Sequence, residues 1–458
     1  MILTNPQDSI LEKARLYQKE LKASFPRRAD SILQLVEALS SAEKPTSVVE
    51  LSEEGAFQRS FSNVHKAIDA MDAENRSRTW AEMFFKRLPK EKTRPFHLYA
   101  IDVTPEPKRH AETMEDRAFV HKADQFGTPV VIGLEASVLV AIPEQEDCEA
   151  KWTLPLSVER VSSKETACEV AKKQLRLLAK LETSDKKLSV IVTDSGYTRL
   201  EPGEENQVII ARGRSDRVGR RLNNHQDKEK HRGRPRKYME GCIKFREDIP
   251  LDENNAPDEQ VEDQMIYRGQ TVYRLISRWK DIHLHDREGS VDVVKVELFS
   301  KTDAIPLFDA PLLLIVSGTR RSELSGKEVF ECYLCRFDIE HFFRFQKQRL
   351  LFGGFQTADL RRQCNWWWIC LMAYWLLYLS RAAAPESNRK WQQKRVDRLA
   401  SPGEVKRVFG AKIFPKLGSP SSKPSVRGKS NGRRRGVCFM KRLKQKVVKK
   451  EKKRREAA

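Results

Sequence analysis

Long apolar runs are missing from this chain of 458 residues. The most apolar stretch, Trp366–Leu379, falls short of the roughly 20 residues that span a bilayer, and Arg361, Arg362 and Arg381 bracket it. It reads as a buried core helix, and no membrane partner is expected. Cysteine is sparse: eight residues are scattered along the chain, and "MILTNPQDSILEKA" shows no secretory leader pattern. That usage argues against a disulfide framework and fits a reducing cytosol. Cys332 and Cys335 make one CxxC, but no second pair stands at zinc-site spacing, which argues against a structural zinc. No internal repeat is visible. Acidic residues are in deficit, 64 against 85 Lys plus Arg, for a formal charge of +21. Such an excess points to a polyanionic partner, with nucleic acid the first candidate.

The charge is unevenly spread. From Lys423 to Arg455 there are sixteen basic residues, with Glu451 and Glu456 the only acids of that tail. Arg212–Lys237 is densely basic, whereas Glu247–Asp263 holds eight acids and neither Lys nor Arg, a reversal expected of an insertion. Residues 7 to about 90 carry apolar positions at helical spacing in "ILEKARLYQKEL", "ADSILQLVEAL" and "NVHKAIDAMDA", punctuated by Pro26 and Pro45. They predict a small all-helical domain, either a packing and dimerisation bundle or a DNA-end-binding module. After Pro95 come the strand-like runs "FHLYAIDVT", "TPVVIGLEASVLVAIP", "LSVIVTDSGY" and "NQVIIARGRSD". A helix over Ser163–Leu181, opening on Ser162 or Ser163, separates the second run from the third. Strands, a crossover helix and further strands imply a mixed α/β fold, a sheet flanked by helices. Amphipathic strands "VDVVKVELFS" and "PLLLIVSG" follow, then two helices near Asp338–Phe352 and Thr357–Ser380. Beyond Ala384 the composition turns to Pro, Ser, Gly and basic residues, and the last forty or so cannot bury enough apolar surface to order themselves.

Three carboxylates stand out. Asp102 interrupts the apolar run "LYAIDVT", where a charge is costly unless paired or metal-bound. Asp194 leaves the strand "LSVIVT" just before Gly196, which suits a ligand at the carboxyl edge of a sheet. Glu340 lies in "YLCRFDIEHFFRFQK", where Tyr333, Arg336, Glu340 and Lys347 read YxxRxxxExxxxxxK. On one long helix all four would share a face. Were the helix to start at Asp338 as its N-cap, Tyr333 and Arg336 would come from the preceding strand and turn. Phosphodiester chemistry needs hard divalent cations held by carboxylates on rigid elements, and cations beside them to hold phosphate.

The stretch from about Phe96 to Arg381 resembles the bacterial insertion-sequence transposases that carry an Asp-Asp-Glu triad and the YxxRxxxExxxxxxK signature. The resemblance implies a ribonuclease-H-like core with a β-rich insertion, which the 146 positions between Asp194 and Glu340 would accommodate. Under it, Asp102, Asp194 and Glu340 bind two Mg2+, with Mn2+ able to substitute, and Tyr333, Arg336 and Lys347 grip phosphates near the cleaved end. The partner is double-stranded DNA, both element ends and target, acted on by a homodimer in a nucleoid-associated complex. The steps implied are nicking, hairpin formation, hairpin opening and strand transfer. Hairpin-forming members carry a Trp shortly before the Glu helix; "APLLLIVSG" has none, and Trp279 lies further away.

The domains expected are a helical one over 1–92, a catalytic core over 93–222 and 330–384, a β-rich insertion over 223–329, and a basic, largely disordered tail over 385–458. Arg212 and Arg214, with Arg217, Arg220 and Arg221 behind them, are expected at DNA phosphates. "RGRPRK", residues 232–237, has the form of a minor-groove hook. Trp366–Trp368 are expected in the core rather than as base-stacking platforms. Two competing readings are a catalytically silent, transposase-derived DNA-binding protein and a ribonuclease-H-like nuclease of repair.

Overall fold

In a computed structural model, the described residues are 6–121, 130–144, 151–182, 187–223, 237–239, 241–245, 256–301, 305–386, 399–414 and 443–449. In chain order the α-helices are α1 (Pro6–Ser24), α2 (Ala29–Ser41), α3 (Ser62–Asp69), α4 (Ala73–Phe85), α5 (Ala167–Leu181), α6 (Gly326–Cys335), α7 (Phe337–Arg349), α8 (Leu360–Leu379) and α9 (Pro402–Val408). The strands are β1 (Phe96–Pro107), β2 (Ala118–His121), β3 (Val130–Ala141), β4 (Leu154–Val161), β5 (Leu188–Thr193), β6 (Gln207–Gly213), β7 (Val218–Arg221), β8 (Ile243–Lys244), β9 (Glu259–Tyr267), β10 (Gln270–Leu284), β11 (Ser290–Ser300) and β12 (Leu312–Ser317). The chain forms two compact units. The first comprises Met1–Lys90, Val103–Thr166 and Asp338–Ala458, the second Glu91–Asp102 and Ala167–Phe337. These limits cut across the four segments expected from sequence, because residues 1–90 share a unit with α8 instead of standing alone.

The first unit is organised by α8, apolar on all sides and therefore buried rather than amphipathic. Trp366, Trp367 and Trp375 have no exposed surface. Phe84 of α4 stacks on Trp375 with ring centroids 5.3 Å apart, and Trp80 meets Trp368 at 5.4 Å. Some polar tips find backbone partners within this packing, whereas the Trp367 indole N–H and the Gln363 amide are buried without one among the described residues. Tyr17 donates its hydroxyl to the carbonyl of Met372 (3.2 Å), and the Trp375 indole N–H donates to that of Pro155 (2.7 Å). Asn365 donates to the carbonyl of Ile68 (2.7 Å) and accepts from the amide of Ala73 (3.0 Å), tying α8 to the α3–α4 turn. Strand order in this unit is β2-β3-β1, with β4 antiparallel on β3.

In the second unit the order is β1-β5-β6-β12-β11-β10-β7-β8, with β9 on the other side of β10. β1, β5 and β6 are parallel, and β12, β11 and β10 continue antiparallel. The buried carboxylate of Glu182, just past α5, accepts from the hydroxyls of Tyr99 (2.8 Å) on β1 and Ser189 (2.7 Å) on β5. Taken unit by unit, β4-β3-β1 and β1-β5-β6 agree with the mixed α/β, ribonuclease-H-like expectation.

Several local expectations need correction. α5 opens at Ala167, not at Ser162 or Ser163, because the Ser163 amide is turned onto the carboxylate of Asp116 (3.2 Å). Residues 399–414 of the expected disordered tail form α9 and a π-turn, and 443–449 lie extended along residues 112–118. The other tail residues, and residues 232–236 of the "RGRPRK" stretch, lie outside the described ones. Among the described residues no helix is long and apolar enough to cross a membrane.

Candidate active site

Asp102 is carried by β1 and Asp194 directly follows β5. The parallel register sets Ala100 against Val192, so two residues further on the carboxylates reach the same height on neighbouring strands, which in a sheet lie about 4.8 Å apart. Asp194 is itself extended, with φ −83° and ψ 179°, before a short turn over Ser195–Tyr197. Both aspartates are half-buried, open enough for a ligand yet shielded enough for charge to matter.

Cations and a phenol surround this pair within the same unit. Arg336 donates to a carboxylate oxygen of Asp102 at 3.3 Å, and its guanidinium lies 6.0 Å from the centre of the Tyr333 ring. Burial pushes the Tyr333 hydroxyl above its ordinary range, while the charges of Arg336 and Arg212 pull it down and that of Asp194 raises it. Arg212 and Arg214 are exposed, and Arg214 has Asp216 at 4.0 Å.

Neither sequence-based geometry for the signature holds. Tyr333 sits on α6, Arg336 caps it, and Glu340 lies in the first turn of a second helix, α7. The amide of Arg336 bonds the carbonyl of Tyr333 three residues back, at 3.0 Å, which tightens the turn and divides the helix. Asp338 is not an N-cap; it is buried in α7, with its carboxyl raised by burial and opposed by Lys151 at 3.5 Å. Glu340, half-buried, and Lys347, whose ammonium donates to the carbonyl of Pro105 at 3.0 Å, belong to the first unit. Among the described residues no three Asp, Glu, His or Cys side chains are gathered closely enough to hold a metal ion. The two level carboxylates, however, are the donor set that a hard divalent cation prefers.

The arginine run after β6 also differs from expectation. Arg217 is committed to Asp286 and to the Thr198 hydroxyl (2.9 Å), and Arg221 forks onto Asp258 (3.1 and 3.0 Å). Both already carry a carboxylate partner from the expected insertion. Arg287, on the loop between β10 and β11, donates to the carbonyls of Thr198 (2.8 Å) and Leu200 (3.2 Å). Arg217 and Arg287 thus clamp the chain just beyond Asp194. Sequence reading missed Arg287, whose only signal was the turn-like "HDREG". It also missed Glu106 and Lys108, fully buried on β1 and its continuation and paired at 3.2 Å, in the first unit with Lys347. Trp279 packs at 5.2 Å against Phe245 and is buried in the apolar core of the insertion.

A family model described as DDE superfamily endonuclease matches residues 20–271, a span holding Asp102 and Asp194 and ending before Tyr333, Arg336, Glu340 and Lys347. No curated protein matches the chain.

Proposed function

Because the chain belongs to the DDE superfamily endonucleases, a nuclease family that acts on DNA through divalent metal, we propose that it is a transposase. It binds the terminal inverted repeats of its element, cuts the DNA ends and joins them to a target. The observation that carries the proposal is the level pair Asp102 and Asp194, with Arg336 paired to Asp102 and close to the Tyr333 ring, all in one unit.

Under this reading Asp102 and Asp194 would be carboxylate ligands to Mg2+, with Glu340 the third carboxylate expected from the sequence, and bound metal would supply activation of the attacking oxygen and stabilisation of the leaving one. The chain's own groups do the rest. Arg336 neutralises Asp102 and, with its planar fork, is shaped to take a phosphate in exchange. Arg212 and Arg214 offer exposed charge to the backbone of the end being cut. Tyr333, kept protonated by burial, remains a hydrogen-bond donor. Lys347, anchored on the Pro105 carbonyl, adds charge on the Glu340 helix.

The test is cleavage of labelled duplex carrying the sequences that flank the gene, with Mg2+ or Mn2+, comparing wild type with Glu340→Gln and Asp194→Asn. Cutting at the repeat termini by wild type alone supports the proposal. Tight binding with no cutting by any of the three favours a silent DNA-binding descendant, in which the Arg336–Asp102 pair is a permanent structural contact. Cutting without preference for the termini favours a repair nuclease.

A further inference from the structure

The edge of β2 carries an added strand. β2 stands at the end of its sheet order, paired with β3 on one side. Along its other side runs a piece of the basic tail, with Val448 bridging Ala118 in parallel. The amide of Gln445 donates to the carbonyl of Glu112 (2.8 Å), and that of Val448 to the carbonyl of Arg117 (2.7 Å). Lys444 pairs with Glu112 at 2.5 Å, holding its carboxyl below the usual range. Val447 and Val448 are half-buried, whereas Lys446 and Lys449 face solvent. Arg117 organises the receiving segment. Buried, it donates to the carbonyls of Lys108 (3.3 Å) and Arg109 (3.2 Å) and reaches that of Gln445 at 3.5 Å.

This contact is specific in register and small in extent. Two backbone hydrogen bonds contribute about 1 kcal/mol each and an exposed ion pair less, so the tether determines which copy's tail sits on the edge. Residues 415–442, 28 positions, separate α9 and its π-turn from the docked strand, a contour of up to about 90 Å at roughly 3.3 Å per residue. That reach would allow the strand to meet the edge of a neighbouring copy as well as its own. For two copies held on one DNA, exchanging an identical strand costs little.

We propose that the β2 edge is a docking site for the strand 443–449 of a second copy, and that two copies brought together on DNA exchange these tails. The proposal rests on the reading that paired DNA ends bring two copies together. An acidic rim, Glu112 with Glu115, meeting a lysine-rich strand supplies the charge match.

Ala118→Cys and Val448→Cys place one thiol on each side of the bridge, and strand spacing suits a disulfide. The chain with both substitutions should close an internal bond without DNA, located by peptide mapping. Mixing the two singly substituted chains should yield a cross-linked dimer, at least tenfold more of it on a duplex carrying two element ends than in free protein. Lys444→Glu should lower that yield severalfold, and adding Glu112→Lys should restore it. No internal bond in the doubly substituted chain overturns the docking. An internal bond but no intermolecular one, in complexes that a band shift shows to hold two copies, overturns the exchange. Complexes that never hold two copies overturn the paired-end reading, and the exchange with it.

Discussion

The two units are stabilised in different ways. Around α8 the first is held by the packing of large rings, whereas the second threads arginines through its sheet. Arg278, almost fully buried on β10, forks onto Asp292 (3.0 and 2.6 Å) and donates to the carbonyls of Leu324 and Arg321 (3.0 Å for the latter). Arg321 reaches the same Asp292 (2.8 Å) and Asp281. Arg274, also buried, forks onto Asp263 (2.7 and 2.5 Å). Apolar packing tolerates volume-conserving change, because no atom in it depends on one partner. A buried ionic network does not, since removing one member leaves another charge uncompensated. The unit bearing the aspartate pair is therefore the one whose geometry is fixed by direction-dependent bonds.

Four measurements would break or sharpen that contrast. Trp375→Ala should cost the most, about 3–5 kcal/mol in urea unfolding, from lost transfer energy plus a cavity among Phe84, Tyr378 and Pro155. A cost under about 1 kcal/mol would mean that the α8 packing is not the anchor of its unit. Asp292→Ala should cost about 3 kcal/mol by stranding Arg278 and Arg321. Pairing it with Arg278→Met should recover much of that loss, as apolar replacement of a buried pair does. If the double variant is as unstable as the single, the network is not behaving as an ion pair.

Lys406, like Lys108 and Arg117, is a cation buried in the first unit. Its ammonium is buried on α9 and donates to the carbonyls of Leu39 (2.5 Å) and Ala42 (2.6 Å) at the end of α2, and burial lowers its pKa to about 7 from 10.5. The folded value lies below the unfolded one. Between pH 7 and about 10 the unfolded chain therefore binds more protons, and stability should rise with pH through that window. Lys406→Met should remove the slope and, by orphaning two carbonyls, cost about 1–3 kcal/mol; an unchanged slope would assign it to another group. Smallest is Arg287→Ala, which should slow cleavage about tenfold, roughly 1.4 kcal/mol of barrier, while leaving band-shift affinity for DNA unchanged. An equal loss of affinity would make Arg287 a DNA contact and not the clamp on the Asp194 turn.

Much of this was legible in the residues. Strand runs around Asp102 and Asp194, with a helix between them, announced a mixed sheet flanked by helices, and the all-apolar "WWWICLMAYWLLYL" read as a buried helix. What was not legible depended on partners distant in sequence. Nothing near Tyr333 signalled that the helix would divide at Arg336, because offsets along a sequence do not report a single amide bonding three residues back. No feature of the sequence showed that two of the arginines after β6, Arg217 and Arg221, would pair with Asp286 and Asp258 from far along the chain. The docked tail carried a composition of disorder, and its order comes from an edge more than 300 residues upstream.

The packing around α8 also sets a timetable. Phe84 and Trp80 find their partners 288 to 291 positions later in the chain, on a helix that ends at Leu379. At the about 5–20 residues per second of protein synthesis, α1 to α4 wait some 15–60 s after α4 is complete for the helix they pack against. The second unit, closed at Phe337, has all its strands before α8 has been made. The helices translated first can pack on one another early, but the faces they turn to α8 are the last to be covered.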